Sequence, residues 1–479
     1  MCHRFLYDLN IVANRNGTYF PALDEPPVTT GHKPGDSARL ASLSYIAIWQ
    51  RAWPIILANA AAPLLGLADT AVIGNLGSIS QLGAIAFGAM IFSFIYWSFG
   101  FLRMGTTGFT AQAAGAGNEA EVRATLGRAL VVSLGLGVAL ILLQWPLARL
   151  ALALLDGSPE VEAITDSYFV IRIWGAPATL SMYALMGTLV GLGKSRQLLL
   201  IQLLLNGLNI VLDVIFAGVF GWGVEGIALG TALAEWVAVI VAASMVLNLL
   251  RQRHGDIEPF WPRARIADAH KMAQTMAANT DILIRTLLML FCFAWFINQS
   301  AVFGDAVLGA NHILLQLVSF SAFFLDGYAF VAEALVGEAL GARQPRQLRL
   351  AVFRSTVLAA GTALLLALLI FSCGELAVGL LTDISAVRSA AGDAMVWAGL
   401  YVLLSFAAFQ LDGIFIGATR TREMRNASGM SAVVFVVAWW WLAPAFGNTG
   451  LWWAFLVYVC VRAATLAAYY PRLLRIPGE

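Results

Sequence analysis

Apolar stretches recur along this chain, separated by short polar segments. We count twelve of them, each long enough for the roughly 20 residues that a helix needs to cross a bilayer. They lie near residues 44–73, 82–112, 125–150, 163–190, 197–219, 225–250, 272–300, 308–339, 348–373, 393–418, 425–446 and 450–471. Because backbone polar groups in lipid must be satisfied internally, the pattern predicts an all-α integral membrane protein with twelve transmembrane helices.

Lys and Arg residues alternate between the segments that separate these stretches. The segments after odd-numbered stretches hold only Arg149 and Arg388, whereas those after even-numbered stretches hold the larger basic groups. These groups are Arg123 with Arg128, Lys194 with Arg196, Arg251 to Lys271, Arg343 to Arg354, and Arg420 to Arg425. Since cytoplasmic loops of membrane proteins carry an excess of Lys and Arg, both termini are predicted to be cytoplasmic.

The two halves of the chain contain similar strings that lie 226 residues apart, a distance that we call the repeat offset. Gly187-x-x-x-Gly191 reappears as Gly413-x-x-x-Gly417, and Leu82-Gly-Ala reappears at the same offset as Leu308-Gly-Ala. An offset of six helices, an even number, predicts two parallel six-helix repeats around a central cleft. The predicted organisation is a disordered cytoplasmic tail (1–43), an amino-terminal lobe (44–250), a cytoplasmic linker (251–271), a carboxy-terminal lobe (272–471) and a cytoplasmic tail (472–479).

Composition excludes several classes of function. The 479 residues are 60% hydrophobic and 12% charged, whereas an ordinary soluble domain is about 25% charged. The net charge of +1 provides no general basic surface for nucleic acid. The cysteines and histidines lack metal-ligand spacing, and no P-loop or nucleophile elbow is present. We therefore expect a lipid-embedded chain with no cofactor, no bound metal, no nucleic-acid partner and no enzymatic activity.

Ionisable residues inside the apolar stretches are the first candidates for function, because a charge at the bilayer centre costs about 2.5–3.5 kcal/mol on insertion scales. Asp69 lies in the first stretch, and Asn209 and Asp213 share one face of the fifth, with Thr231 in the sixth. Carboxylate, amide and hydroxyl oxygens suit Na⁺ or a proton. The alternatives are a carboxylate at the outer water boundary for Asp69, hydrogen bonding between helices for Asn209 and Asp213, and helix packing for Thr231.

The second half carries further acidic residues. Asp326 and Glu333 are seven residues apart on one face of the eighth stretch, and Asp412 lies in the tenth. These three are candidates for lining the substrate cleft. Asp326 and Asp412 have no evident basic partner in the sequence.

Two arginines of the stretches have predicted acidic partners. Asp281 and Arg285 are four residues apart in the seventh stretch, a spacing that predicts an ion pair, with a substrate contact as the alternative. Arg103 in the second stretch is expected to pair with one of the acidic residues of the second half.

Four strings carry a resemblance to a known family. They are Asp69-Thr-Ala-Val-Ile-Gly-Asn-Leu-Gly77, Asn209-Ile-Val-Leu-Asp213, the segment 325–337 beginning Leu-Asp-Gly-Tyr, and the segment 411–426 beginning Leu-Asp-Gly-Ile. Over residues 44–471 the chain resembles the multidrug and toxic compound extrusion (MATE) family, in particular its DNA-damage-inducible protein F branch.

The resemblance implies a two-lobed antiporter of the bacterial inner membrane that works as a monomer. It implies export of small organic compounds, often cationic or amphipathic, in exchange for H⁺ or Na⁺. It also implies that Asp69, Asn209, Asp213 and Thr231 together form the cation site, whereas the transfer of a role to Asp326, Glu333 and Asp412 is less direct.

Two other functions remain open at this point. A flippase for a lipid-linked precursor of the same superfamily would line its cleft with arginines to hold pyrophosphate. Arg103, Arg172, Arg285 and Arg462 are instead distributed over different stretches. An intramembrane enzyme would need a nucleophile or an acid pair facing the cleft.

Overall fold

The computed structural model describes residues 43–76, 78–155, 157–255 and 259–474, and the side chains in these ranges except those of 62–76 and 474. The predicted tails therefore lie almost entirely outside the described residues. The described part is all-helical. Its helices are α1 (Tyr45–Leu76), α2 (Ile79–Ser98), α3 (Phe101–Gly115), α4 (Glu119–Leu142), α5 (Gln144–Leu155), α6 (Pro159–Arg172), α7 (Ala176–Gly191), α8 (Ser195–Asp213), α9 (Gly223–Gln252), α10 (Arg263–Ile266), α11 (Ala269–Ser300), α12 (Asp305–Gly341), α13 (Pro345–Leu381), α14 (Ser385–Gly417), α15 (Thr421–Tyr469) and α16 (Pro471–Leu474).

Ten helical runs among the described residues are long and apolar enough to cross a membrane. Three of them join consecutive helices, because α2 continues into α3, α6 continues into α7 through a 3₁₀ turn at Ile173–Gly175, and α15 continues into α16. In addition, α1 is 32 residues long, or about 48 Å at 1.5 Å per residue. These long apolar helices confirm the multi-pass membrane architecture that the apolar pattern predicts.

The longest helix, α15, reverses direction at Gly447. The backbone of Gly447 has φ 59° and ψ −137°, which is not helical. The rings of Phe435 and Tyr458 lie 5.9 Å apart, although a straight helix would separate residues at this spacing by about 35 Å. The helix therefore consists of two antiparallel arms, and the predicted boundary between the stretches 425–446 and 450–471 coincides with this turn.

Polar residues before the apolar stretches start several helices. Ser78 and Gln81 form a capping box at α2, and the side chains of Asn118, Ser158 and Asp268 accept backbone N–H groups at the starts of α4, α6 and α11. Such caps satisfy donors that a helix leaves open in its first turn.

The prediction placed the third stretch at 125–150, but α4 ends at Leu142 and a separate helix, α5, follows it.

The two halves of the chain meet most closely where α3 crosses α12. Ala111 lies against Gly337 at the crossing, so that a Cβ added to Gly337 would be 2.5 Å from that of Ala111. On either side, Gly115 contacts the backbone of Glu338 and Gly341 contacts the backbone of Gln112. Small residues bring the two backbones into contact here.

The predicted linker is bound to the amino-terminal lobe rather than lying free beneath it. Arg123 Nε donates to the carbonyl oxygen of Phe260 at 2.7 Å, and Arg128 Nη1 donates to that of Arg265 at 2.7 Å. Both arginines are almost completely buried in α4. Placing them in a loop was therefore wrong, because both lie within α4, where their side chains hold the segment 260–265 onto the helix.

Candidate functional site

A buried polar cluster lies between α8 and α9. Asn209 and Asp213 are fully buried, and 3% of Thr231 is exposed. Asn209 Nδ2 donates to Thr231 Oγ1 at 2.8 Å, and that hydroxyl donates to the carbonyl oxygen of Ile227 at 2.9 Å. The structure thus brings together three of the four residues predicted for a cation site.

The local backbone explains how this cluster forms. Asn209 and Asp213 share a face of α8 because they are one helical turn apart. Gly230 allows α9 to approach closely, since a Cβ at this position would lie 2.6 Å from Asp213 Oδ1. A π-helical turn, Val214–Val219, begins directly after Asp213. Such turns are frequent at functional sites.

The cluster offers oxygen atoms that are suitable for a cation. Asn209 Oδ1 is buried and has no hydrogen-bond partner among the residues that the structure describes. A buried carbonyl oxygen without a donor is costly unless another group fills the role. Together with the adjacent carboxylate of Asp213 and the hydroxyl of Thr231, it forms a set of hard ligands for Na⁺ or an acceptor set for a proton.

Asp69 is the fourth predicted member. Its backbone belongs to α1, but its side chain lies outside the described residues. Helix α1 packs against α8, and Asn206 Nδ2 donates to the carbonyl oxygen of Ala61 at 3.2 Å. The place of Asp69 in the cluster stays a prediction.

A cavity of about 430 Å³ adjoins the cluster. Asn206 and Thr231 are among the residues that line it, together with Arg172 and Glu235. Arg172 Nη1 lies 2.8 Å from Glu235 Oε2, and both side chains are buried. Sequence reasoning missed Glu235, although it follows Thr231 by four residues and therefore lies on the same face of α9.

Two acidic residues of the carboxy-terminal half, Asp281 and Asp412, are paired with arginines that the sequence did not indicate. Asp412 accepts hydrogen bonds from both Arg285 and Arg462. The sequence showed no evident basic partner for Asp412, because its partners come from α11 and from the second arm of α15, which are distant in sequence.

Asp281 does not pair with Arg285. Arg425 Nη1 donates to Asp281 Oδ1 at 2.7 Å, and Thr421 Oγ1 donates to Asp281 Oδ2 at 3.0 Å. The spacing of four residues places Asp281 and Arg285 on one face of α11, but each side chain reaches a different neighbouring helix. The predicted intrahelical pair is therefore replaced by two contacts between helices.

Arg103 pairs with an acidic residue across the interface between the lobes, as predicted. Its Nη1 and Nη2 atoms lie 3.0 and 3.4 Å from the two carboxylate oxygens of Glu333, and the guanidinium lies 3.6 Å from the centre of the Phe330 ring. Asp326, two turns earlier in α12, is partly exposed and has no hydrogen bond or ion pair among the described residues. The three predicted cleft residues thus differ: Glu333 and Asp412 bind arginine, whereas Asp326 does not.

Known proteins resemble this chain in sequence and in fold. A family model described as MatE matches residues 54–215 and 282–441. DNA damage-inducible protein F of Escherichia coli (strain K12) is 37% identical over 427 residues, which cover 89% of this chain and 92% of that protein. Multidrug export protein MepA of Staphylococcus aureus (strain MRSA252) is 21% identical over 88% of this chain and 92% of its own length. The structure of the Vibrio cholerae MATE transporter VcmN in its bent form matches with a TM-score of 0.79 at 20% identity, and covers 91% of this chain and 98% of that one.

Proposed function

Because this chain belongs to the MatE family of membrane transporters, we propose that it is a secondary active antiporter. It exports organic, often cationic or amphipathic, compounds across a bacterial inner membrane in exchange for H⁺ or Na⁺, and it works as a monomer with both termini in the cytoplasm. A relative with a multidrug export name supports the substrate class. Relatives in sequence and in fold are transporters, so the intramembrane enzyme is no longer a candidate.

We propose twelve transmembrane helices in two parallel repeats. The ten spanning runs, the long helix α1 and the two arms of α15 together support this number. Structural features also recur at the repeat offset. Gly221 and Gly447, both with positive φ, form the turns before α9 and within α15. Gly83 contacts Val161 as Gly309 contacts Val387.

The ends of helices follow the same offset. Gly117 and Gly193 adopt positive φ after α3 and α7, and the corresponding residues of the second half, Arg343 and Thr419, adopt it after α12 and α14. A positive φ is costly for a residue with a side chain, so its recurrence at Arg343 and Thr419 reflects the geometry of the turn rather than a preference of the residue.

The coupling cation is assigned to the amino-terminal lobe. The observation that carries the proposal is the buried cluster of Asn209, Asp213 and Thr231 beside a cavity. The amide oxygen of Asn209 has no hydrogen-bond partner among the described residues. At the positions that correspond to Asn209 and Thr231 by the repeat offset, the chain has Phe435 and Val457, so the other lobe lacks these oxygens. Its acidic residues Asp281 and Asp412 are already neutralised by arginines.

The repeat also supports the assignment of Asp69. Trp295 and Trp439 are the counterparts of Asp69 and Asp213 at the repeat offset. Their rings pack edge to face with centroids 5.2 Å apart. If the two halves share their arrangement of helices, Asp69 and Asp213 are neighbours in the same way, and we include both in the coupling site.

Alternating access requires the lobes to separate on one side of the membrane at a time. The contacts between α3 and α12 near Ala111 and Gly337 lie toward the ends of helices that the Arg and Lys distribution places on the cytoplasmic side. The Arg103–Glu333 pair lies in the same interface, closer to the middle of α12. We infer that this interface closes the cleft toward the cytoplasm, and that Asp326 faces the cleft as a substrate contact.

A flippase is less well supported than an antiporter. Arg103, Arg172, Arg285 and Arg462 each lie in an ion pair with a buried carboxylate. Guanidinium groups held in this way are not presented to a pyrophosphate.

A transport assay in liposomes with defined ion concentrations inside and outside tests the proposal. The purified chain is reconstituted, and movement of a fluorescent organic cation is followed under an imposed H⁺ or Na⁺ gradient. We expect one of the two gradients to drive the dye in the opposite direction to the ion. Movement of the dye that neither gradient alters would contradict the antiporter, and movement of a fluorescent lipid-linked pyrophosphate in its place would establish the flippase.

A further inference from the structure

The ion pair at the edge of the amino-lobe cavity has the composition of a binding site for an organic cation. The guanidinium carbon of Arg172 lies 5.3 Å from the centre of the Phe92 ring and 5.7 Å from that of Tyr96, while Nη1 faces the carboxylate of Glu235. A carboxylate beside aromatic faces is the arrangement that proteins use to bind cationic ligands. Here the guanidinium group of Arg172 occupies the position that a cationic ligand would take.

The contact between Arg172 and Glu235 is a charge contact without aligned hydrogen bonds. At 2.8 Å the two atoms are close, yet neither Nη1 of Arg172 nor Oε2 of Glu235 has a hydrogen-bond partner of acceptable angle among the described residues. The Arg103–Glu333 pair, in contrast, makes two hydrogen bonds. The hydroxyl of Tyr96 is also buried without a partner in the described part of the chain.

The surroundings leave room for a ligand at this place. The adjoining cavity of about 430 Å³ falls within the range of about 300–1,000 Å³ that small-molecule sites occupy. Tyr168, Tyr183 and Met186 contribute to its wall. The wall is thus mostly aromatic and apolar, with charge at one end.

We propose that Arg172 is an internal counter-ion that a lipophilic organic cation displaces from Glu235. The inference rests on the proposed function and specifies its substrate class: aromatic compounds with one delocalised positive charge. With Arg172 in place the pair is neutral, and a cation reaches Glu235 only by competing with Arg172. When Arg172 moves away, the substrate charge takes its position against Glu235, Phe92 and Tyr96.

This exchange places substrate and coupling ion close together. Glu235 and Thr231 are one turn apart on α9, and Thr231 is bonded to Asn209 of the coupling cluster. A positive charge at Glu235 and another at the coupling cluster repel each other. The two cations therefore bind preferentially in turn, as an antiporter requires.

Equilibrium binding to the purified chain in detergent, measured by calorimetry, tests the exchange. The probes are methyltriphenylphosphonium and triphenylphosphine oxide, which share three aromatic rings and differ in charge. We expect the wild type to prefer the cation, and Glu235→Gln to weaken cation binding by about tenfold or more. Arg172→Gln is expected to strengthen it by about threefold or more, because the internal competitor is gone. The neutral probe should bind alike to all three.

The double variant Arg172→Gln, Glu235→Gln covers the case in which a single variant does not fold. It is neutral, as the wild-type pair is, and we expect it to bind the neutral probe normally and to lose the preference for the cation. Retained preference in the double variant, or an Arg172→Gln protein that binds the cation as poorly as Glu235→Gln does, would make the pair a structural one and overturn the inference. A chain that couples dye movement to an ion gradient but binds both probes equally keeps the proposed function and loses this substrate class.

Discussion

Asp213 and Asp412 are both buried carboxylates inside the membrane domain, and their neighbours give them different roles. Asp412 receives two guanidinium groups, from Arg285 and Arg462. Asp213 lies beside the amide of Asn209 and the backbone at Gly230. Sequence spacing predicted the Asn209–Asp213 face, because both residues lie on one helix. It did not predict the arginines of Asp412, because these come from other helices.

Asp412→Asn is expected to destabilise the protein by about 3–5 kcal/mol, because two buried positive charges then lack a carboxylate. The measurement is the free energy of unfolding, or the melting temperature, in detergent. Asp383→Asn is the matched control, since Asp383 pairs with Arg388 at the surface, where an ion pair contributes about 0–1 kcal/mol. Equal melting temperatures of the two variants would show that Asp412 is not the anchor of this network.

Gly230→Ala probes the coupling cluster without changing a charge. The added methyl group would lie 2.6 Å from Asp213 Oδ1 and must displace the carboxylate. We expect gradient-driven efflux in liposomes to fall by about tenfold or more, which corresponds to about 1.4 kcal/mol. Gly207→Ala in α8 is the control, because a Cβ there meets no atom within 4 Å. A Gly230→Ala protein as active as Gly207→Ala would argue against a role for the position of Asp213.

At the scale of helices, periodicity predicted the spans well and their irregular points poorly. The turn at Gly447 falls between two predicted stretches, whereas the separate helix α5, the docked helix α10 and the π-helical turn after Asp213 were not predicted. Apolar residues continue through α5 and through the π-helical turn, so hydrophobicity alone does not mark these two points. The sequence predicted that Arg103 pairs with an acidic residue of the second half, but not that this residue is Glu333. The choice among several acidic residues depends on how α3 crosses α12.

Reversing the charges of the Arg103–Glu333 pair tests its role in closing the interface between the lobes. We expect Arg103→Glu and Glu333→Arg each to raise the labelling rate of Ala111→Cys by a membrane-impermeant maleimide added from the cytoplasmic side. The expected increase is about fivefold or more, the lower end of typical couplings between two states. Because the double reversal restores the pair, it should return the rate toward that of the parent.

The control for this experiment is Arg388→Glu, which disrupts an exposed pair far from the interface in sequence and packing. It should leave the labelling rate unchanged. If the double reversal labels as fast as the single variants, the pair does not hold the interface closed.

At the scale of the whole molecule, the polar residues are divided unequally between two similar halves. The repeat offset relates glycine turns and helix contacts in both halves, yet Asn209, Asp213 and Glu235 correspond to Phe435, Trp439 and Val461. The sequence alone located this offset and the coupling candidates. It did not reveal the cavity or the Arg172–Glu235 pair, because both depend on how α6, α7 and α9 enclose a space.

The most direct test of the account compares two transport modes of Asp213→Asn and Asp69→Asn in liposomes. Exchange of labelled for unlabelled substrate without an ion gradient needs only the substrate site, whereas acceleration by an H⁺ or Na⁺ gradient needs the coupling site. We predict that both variants keep the exchange and lose the acceleration, while the surface variant Asp383→Asn keeps both. Full gradient-driven acceleration in Asp213→Asn and Asp69→Asn would contradict the assignment of the coupling site to the amino-terminal lobe.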